Sequence, residues 1–278
     1  FGHGGEVALN YHMLGHGGFE GNGQTLRILS KLGEYSEKHG LDLTRRTLLG
    51  VLKYPVLHSE VQQAGLTTDT PLNAFKPPKS IHDDEKDVLE WVLKEFSLQD
   101  RNKFRTKMER DGKRRSQFKA FDTSIMELAD DISYGVHDLE DALALGLVTE
   151  RQWREDVLQL AQEDSPFIKE ASFYNDKLFS PDSRDRKHAI SKLIGYLVPQ
   201  ISVQRQQQFE HLQLDLQATL PAEAEHTLEL LKRFVFKHVI RSAEVKAMEF
   251  KGQRIIMALF EALSDAPEQL LQPSTLQK

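Results

Sequence analysis

The stretch Glu127-Leu128-Ala129-Asp130-Asp131-Ile132-Ser133-Tyr134-Gly135-Val136-His137-Asp138-Leu139-Glu140-Asp141 decides how this chain reads. Just before and through it, Phe118, Phe121, Ile125, Leu128, Ala129 and Ile132 recur at helical spacing, which predicts a buried helix. Asp130, Tyr134 and Asp138 are four residues apart each time, so they share one face of that helix. Acids near a core cost free energy unless a metal, a cation or a ligand satisfies them. The competing reading is a helix end ringed by solvated acids, and the apolar surroundings favour a site.

Outward from this segment the pattern stays helical. Asp42 and Thr44 are cap candidates for a helix running towards Leu52 and ended by Pro55. Residues 56–84 have little periodicity and contain Pro71, Pro77 and Pro78, so a long loop is predicted. Asp83 or Asp84 can cap a helix carrying Val88, Leu89, Val92, Leu93 and Phe96. Thr149-Glu150-Arg151-Gln152 fits a capping box, with Trp153, Val157 and Leu160 following. Pro166 and Ser180-Pro181-Asp182-Ser183 punctuate the next stretch. Residues 184–217 read as helical with a break near Pro199, and Pro221 suits the first turn of a helix through Leu231, Phe234, Val235 and Val239. A last helix covers roughly 253–263, and the tail from Pro267 to Lys278 is expected to fray. There is no alternating strand pattern, internal repeat or clean linker. The expected fold class is all-α, a single irregular helical bundle over residues 1–278.

The composition narrows the class. Of 278 residues, 39% are apolar and 28% charged, as in ordinary soluble globular proteins. No stretch approaches the roughly 18 uncharged apolar residues of a membrane span. The absence of cysteine excludes disulfides and thiolate metal sites and suits a cytoplasmic protein. A net charge of −6 argues against a general nucleic-acid binder, although local basic patches could still hold phosphate. Phe1-Gly2-His3-Gly4-Gly5-Glu6 lacks an initiator Met and a signal-peptide pattern, so the chain is expected to be a fragment of a longer protein.

Smaller motifs carry weaker signals. His3 and Glu6 are three apart, and on a helical turn Glu6 could orient His3 as a proton donor; a chance surface pair is the bland alternative. Gly17-Gly18-Phe19-Glu20-Gly21-Asn22-Gly23-Gln24 lacks the third glycine of a dinucleotide fingerprint and the Gly-Lys-Ser/Thr of a P-loop. It is either a turn before a helix or backbone held close to a ligand, with Asn22 as a contact. Lys53-Tyr54-Pro55 closes a helix, where a Lys already favours the dipole; a phosphate contact is the functional alternative. Lys76 and Lys79 lie in the Pro-rich loop and either reach an anion or are solvated. Residues 101–115 are densely basic, a solvated face by default and a single-stranded-DNA patch as the minority reading. His12, His16, His39, His58 and His82 show no metal spacing.

Taken together the motifs resemble the deoxyguanosine triphosphate triphosphohydrolase (dGTPase) family of the HD superfamily. The matching pieces are Phe-Gly-His-Gly-Gly-Glu at 1–6, Gly-Gly-Phe-Glu-Gly-Asn-Gly-Gln-Thr-Leu-Arg at 17–27, Leu-Lys-Tyr-Pro at 52–55 and Met-Glu-Leu-Ala-Asp-Asp-Ile-Ser-Tyr…His-Asp-Leu-Glu-Asp-Ala at 126–142. They occur in the family's order, and the likeness is sharp over residues 1–142. The resemblance implies that Asp130 is one ligand of a divalent metal, Mn²⁺ or Mg²⁺. It makes His3 the catalytic histidine and Glu6 its acidic partner. It puts Glu20 and Asn22 in the active-site loop, makes Lys53, Tyr54 and one of Lys76 or Lys79 triphosphate contacts, and gives Tyr134 and Asp138 contacts to the sugar and phosphates. The family's remaining ligands, a His and a His-Asp pair, lie upstream of the segment matching Phe1.

The implied reaction fits these residue types. A metal-held water attacks the α-phosphorus of a dNTP, giving a deoxynucleoside and inorganic triphosphate. The His3 imidazolium protonates the departing 5′-oxygen, the lysines neutralise the triphosphate, and Tyr134 packs on the deoxyribose where a 2′-hydroxyl would clash. The family also implies a homo-oligomer and a dNTP effector. The alternatives are an HD phosphohydrolase acting on nucleotide monophosphates or cyclic nucleotides, and a non-catalytic protein binding nucleotides or single-stranded DNA through residues 101–115.

Overall fold

A computed structural model of the chain describes residues 2–62, 65–67, 69–110 and 113–276, the side chain of Arg110 excepted. Phe1 of the opening motif, Asp111 of the basic run and Lys278 lie outside the described residues. Helices dominate, as the all-α reading expects. Two short antiparallel ribbons depart from it: Lys107–Arg110 pairs with Lys113–Ser116, and Ser202–Arg205 with Leu216–Thr219. Each strand has only four residues, too few for a two-residue period to stand out in the sequence. The second ribbon corrects the expected helix over 184–217. The helix Ser183–Leu197 gives way to a 3₁₀ turn, Val198–Gln200, because Pro199 cannot continue the ladder, and the chain then extends.

The described residues divide into two compact units. One comprises residues up to 123 together with 206–215 and those from 247 onward; the other comprises 124–205 and 216–246.

In the first unit, Leu26, Leu49, Leu52, Ile81, Leu89, Val92 and Phe104 form the core. Thr44 caps the helix Arg45–Val51 by accepting from the Thr47 N–H at 3.3 Å, as expected. The stretch 56–84 is less featureless than predicted. It contains the helix His58–Val61, a 3₁₀ turn Leu72–Phe75 and a parallel bridge between Leu57 and Ile81. Asp83 does not cap the following helix, Lys86–Leu93; its Oδ1 accepts from the Ser59 N–H at 3.0 Å, across the bridge. Residues 206–215 return to this unit, where the Asp100 carboxylate accepts from Glu210 and His211 N–H at 3.1 and 2.9 Å. Phe209 meets Phe118 edge-on, ring centres 5.0 Å apart. The last long helix runs Ala243–Asp265, longer at its start than expected, and the tail holds two helical turns, Pro267–Leu270 and Pro273–Leu276.

The second unit is built on the helix Phe121–Ala144. Its buried face is Ile132, Val136, Leu139 and Ala142, packed in one cluster with Trp153, Leu193, Leu231 and Phe234. The helix is as predicted, but the face is turned: Ile125 is 46% exposed and Ala129 lies outside the core. Gly135 permits close approach, since a Cβ there would sit 2.8 Å from Leu228 Cδ1. Trp153 is wholly buried, edge-on to Phe167 and Phe234 at 5.1 and 5.7 Å. Ahead of it the Thr149/Gln152 capping box forms in both directions, whereas Leu160 is exposed. Pro221 is the residue before the helix Ala222–Val235, one position earlier than predicted.

Candidate active site

The helix Gly2–His12 sets His3 and Glu6 one turn apart, with His3 Nδ1 3.2 Å from Glu6 Oε2. The His3 side chain is 76% exposed and that of Glu6 only 9%, so the imidazole faces solvent while its partner sits inside. Glu6 Oε1 accepts from the Gly21 N–H at 2.9 Å and from Lys79 Nζ at 3.3 Å. Burial pushes the Glu6 carboxyl up, but the bond to His3, the Gly21 N–H and the Lys79 charge outweigh it and hold the group at about 2.

The glycine-rich segment is a turn before a helix. Gly15, Gly17 and Gly18 all take positive φ. At Gly18 a Cβ would meet His58 Nε2 at 2.3 Å, so glycine is required there by both torsion and space. The next N–H, of Phe19, donates to Asn10 Oδ1 at 2.9 Å, and Asn10 Nδ2 donates to the Phe75 carbonyl at 2.9 Å. Glu20 then caps the helix Gly21–Arg27. Its Oε2 accepts from the Gly23 N–H at 2.8 Å, and its Oε1 accepts from Asn22 Nδ2 at 2.8 Å and Lys79 Nζ at 2.7 Å. Burial lowers the Lys79 pKa, and Glu20 and Glu6 more than reverse it.

Below the loop lie two buried histidines. His58 Nδ1 is 3.4 Å from Ser80 Oγ, and burial pulls its pKa down against Asp83 and Glu20. Burial and the nearby charges of Arg27 and His58 likewise lower His82, against Asp84 and Asp83. Exposed Lys76 lines a cavity of about 340 Å³ with Asn10, Gly18, His58 and Asp83. Lys53 and Tyr54 are half-buried in the turn after the helix Arg45–Val51.

In the second unit Asp130, Tyr134 and Asp138 share one helix face. Asp130 is exposed, and Tyr134 and Asp138 are half-buried. The cost of burying an acid therefore applies to Asp138 but not to Asp130. Burial and the neighbouring Asp138 raise the Tyr134 pKa, and burial with Asp141 and Asp130 raises that of Asp138 against the pull of His137.

Known proteins match the whole chain. A deoxyguanosinetriphosphate triphosphohydrolase-like protein of Shewanella pealeana is 46% identical over 290 aligned positions, which cover 100% of this chain and 65% of the relative. Homologues of the same name from Shewanella sp. strain ANA-3 and Shewanella loihica are 47% and 44% identical with the same coverage. The chain belongs to the deoxyguanosinetriphosphate triphosphohydrolase-like family. It spans about 65% of the length of these relatives. Residues 218–278 also match the model of a phosphohydrolase-associated domain.

For a member of the dGTPase-like family, five of the residues singled out in the sequence come together by direct contact: His3, Glu6, Glu20, Asn22 and Lys79. Asn10, Ser80 and the two buried histidines were not recognised as part of this surround, and the double glycine at 17–18 was their one legible trace. The metal implied by the family is not accommodated by this chain's residues alone. Among the described residues no group of three His, Asp or Glu side chains could hold an ion, and Asp130, on an exposed helix face, would supply a single ligand.

Proposed function

We propose that this chain is part of a dNTP triphosphohydrolase, cleaving dGTP or other dNTPs to a deoxynucleoside and inorganic triphosphate with a divalent metal, Mn²⁺ or Mg²⁺. The observation that carries this reading is the exposed His3 backed by a buried, ionised Glu6. Water adds to the α-phosphorus, the bond from phosphorus to the 5′-oxygen breaks, and the leaving oxygen takes the proton His3 presents. Glu6 stabilises the imidazolium form before transfer. Lys53, Tyr54 and Lys76 contact the triphosphate, Asn22 shapes the loop facing substrate, and Glu20 holds that loop. Tyr134 and Asp138 contact sugar and phosphate, and Asp130 is a metal ligand. Oligomer assembly and a dNTP effector belong to the same reading and are checked by light scattering with and without dNTPs.

The test is product analysis. Full-length parent protein is incubated with Mn²⁺ or Mg²⁺ and each of the four dNTPs or GTP, and products are separated by chromatography. Deoxynucleoside with triphosphate from a dNTP, and GTP spared, is the expected result; monophosphate or pyrophosphate among the products overturns the reading.

A second reading is single-stranded-DNA binding. The basic run is partly an exposed ribbon, with Arg115 opposite Met108 and Lys113 opposite Arg110, so positions 110, 113 and 115 share one face. Charge reversal at Lys113 and Arg115 then weakens oligonucleotide binding in a gel-shift titration, with a flatter salt dependence, while hydrolysis is kept.

A further inference from the structure

Lys79 is where the two carboxylates of the site meet. Its Nζ is 2.7 Å from Glu20 Oε1 and 3.3 Å from Glu6 Oε1, and both acids are buried. The opposite oxygen of Glu6 faces His3, and that of Glu20 holds the Gly23 N–H. A cation held at contact by two anions has little charge left for a polyphosphate. Lys76, three residues earlier, is exposed on a cavity instead.

We propose that Lys79 is a positioning residue, holding Glu6 ionised and aimed at His3 and tying the glycine-rich turn to the same point through Glu20, rather than a contact to substrate phosphate. The proposal rests on the triphosphohydrolase reading for its kinetic consequences. The physical reason is like-charge repulsion. Two buried carboxylates that share one cation repel each other once it is removed, which adds to the burial that already favours a proton on Glu6. The groups facing them are His3 and the Gly21 N–H at Glu6, and Asn22, the Gly23 N–H and His58 at Glu20. His58 loses protons readily because of burial and does not replace the missing charge. A protonated Glu6 no longer supports an imidazolium at His3, so the general acid is lost although His3 itself is intact.

The experiment is a double-mutant cycle in the full-length parent protein, with Lys79→Met, Glu6→Gln, the double variant and Lys79→Arg assayed across pH. Lys79→Met is expected to lower kcat on the order of 10- to 100-fold with KM changed less than about threefold. On the Glu6→Gln background the same change costs under about threefold, and Lys79→Arg keeps most of the rate. A raised KM with kcat preserved, or an equal loss on both backgrounds, overturns the proposal. A second readout does not need turnover: in protein labelled with ¹³C at glutamate side chains, the Glu6 signal, assigned by Glu6→Gln, moves its midpoint upward from about 2 in Lys79→Met. An unmoved midpoint overturns the proposal as well. If no dNTP yields triphosphate while the midpoint still moves, the functional reading fails and the positioning role stands. Lys79→Gln, which keeps hydrogen bonding but no charge, carries both readouts if Lys79→Met does not fold.

Discussion

His3 Nδ1 lies 3.2 Å from Glu6 Oε2, an exposed imidazole joined to a buried carboxylate across one turn of helix. Because Glu6 stays ionised down to about 2, it contributes no acid limb to the rate in the working range. His3→Gln is expected to lower kcat by about 10²- to 10⁴-fold and Glu6→Gln to lower it less, to be checked as triphosphate release by the parent protein.

Gly18→Ala acts on the same site from behind. The substitution combines a positive φ with a Cβ 2.3 Å from His58 Nε2. The left-handed torsion alone costs about 1 kcal/mol, and the clash displaces either the His58 ring or the loop. Thermal melting should drop and kcat should fall with it; an unchanged melting temperature with unchanged rate would show that the turn accommodates a side chain.

Acid sensitivity follows from the two buried histidines. Burial lowers the pKa of both His58 and His82 below the ordinary histidine value. Between that value and the folded one the unfolded chain binds protons that the folded chain refuses, so stability is lost as pH falls through about 6.5. The midpoint of urea unfolding should therefore decline from pH 7.5 to 5.5. His58→Gln and His82→Phe should each flatten the decline.

Asp130 is exposed, so Asp130→Ala is expected to leave the melting temperature within about 2 °C while abolishing triphosphate release in the parent protein. A chelator should abolish the same activity, restored by Mn²⁺ or Mg²⁺. Retained turnover in Asp130→Ala removes this residue from the metal assignment.

The second unit depends on Trp153, buried completely against Phe167 and Phe234. Trp153→Ala should cost about 3–5 kcal/mol, read from chemical denaturation.

Much of this was legible in the sequence where a short-range rule governs. Thr44 and Thr149 cap as their spacing predicts, because a cap depends on three or four consecutive residues. The long helix at 121–144 follows its periodicity, yet the buried face was misjudged, since Ile125 and Val136 are equally apolar and only tertiary packing chooses between them. The ribbons were missed because four-residue strands are too short to show a pattern. At the site, the spacing of His3 and Glu6 left a chance surface pair open, and it was the family resemblance that paired them. The link from Glu6 to Lys79 spans 73 positions and from Glu20 to Lys79 spans 59, which no local reading reaches.

Residues 206–215 belong to the first unit, although they are made long after residue 123. Phe118 meets its ring partner Phe209 only when that later stretch has left the ribosome, roughly 5 to 20 seconds afterwards at ordinary elongation speeds. Asp100 waits equally long for the two N–H donors of Glu210 and His211. The nascent chain must therefore carry an unfinished aromatic surface through synthesis of most of the second unit. A premature stop after residue 123 would leave a sticky remnant dependent on chaperones, and not a smaller working protein.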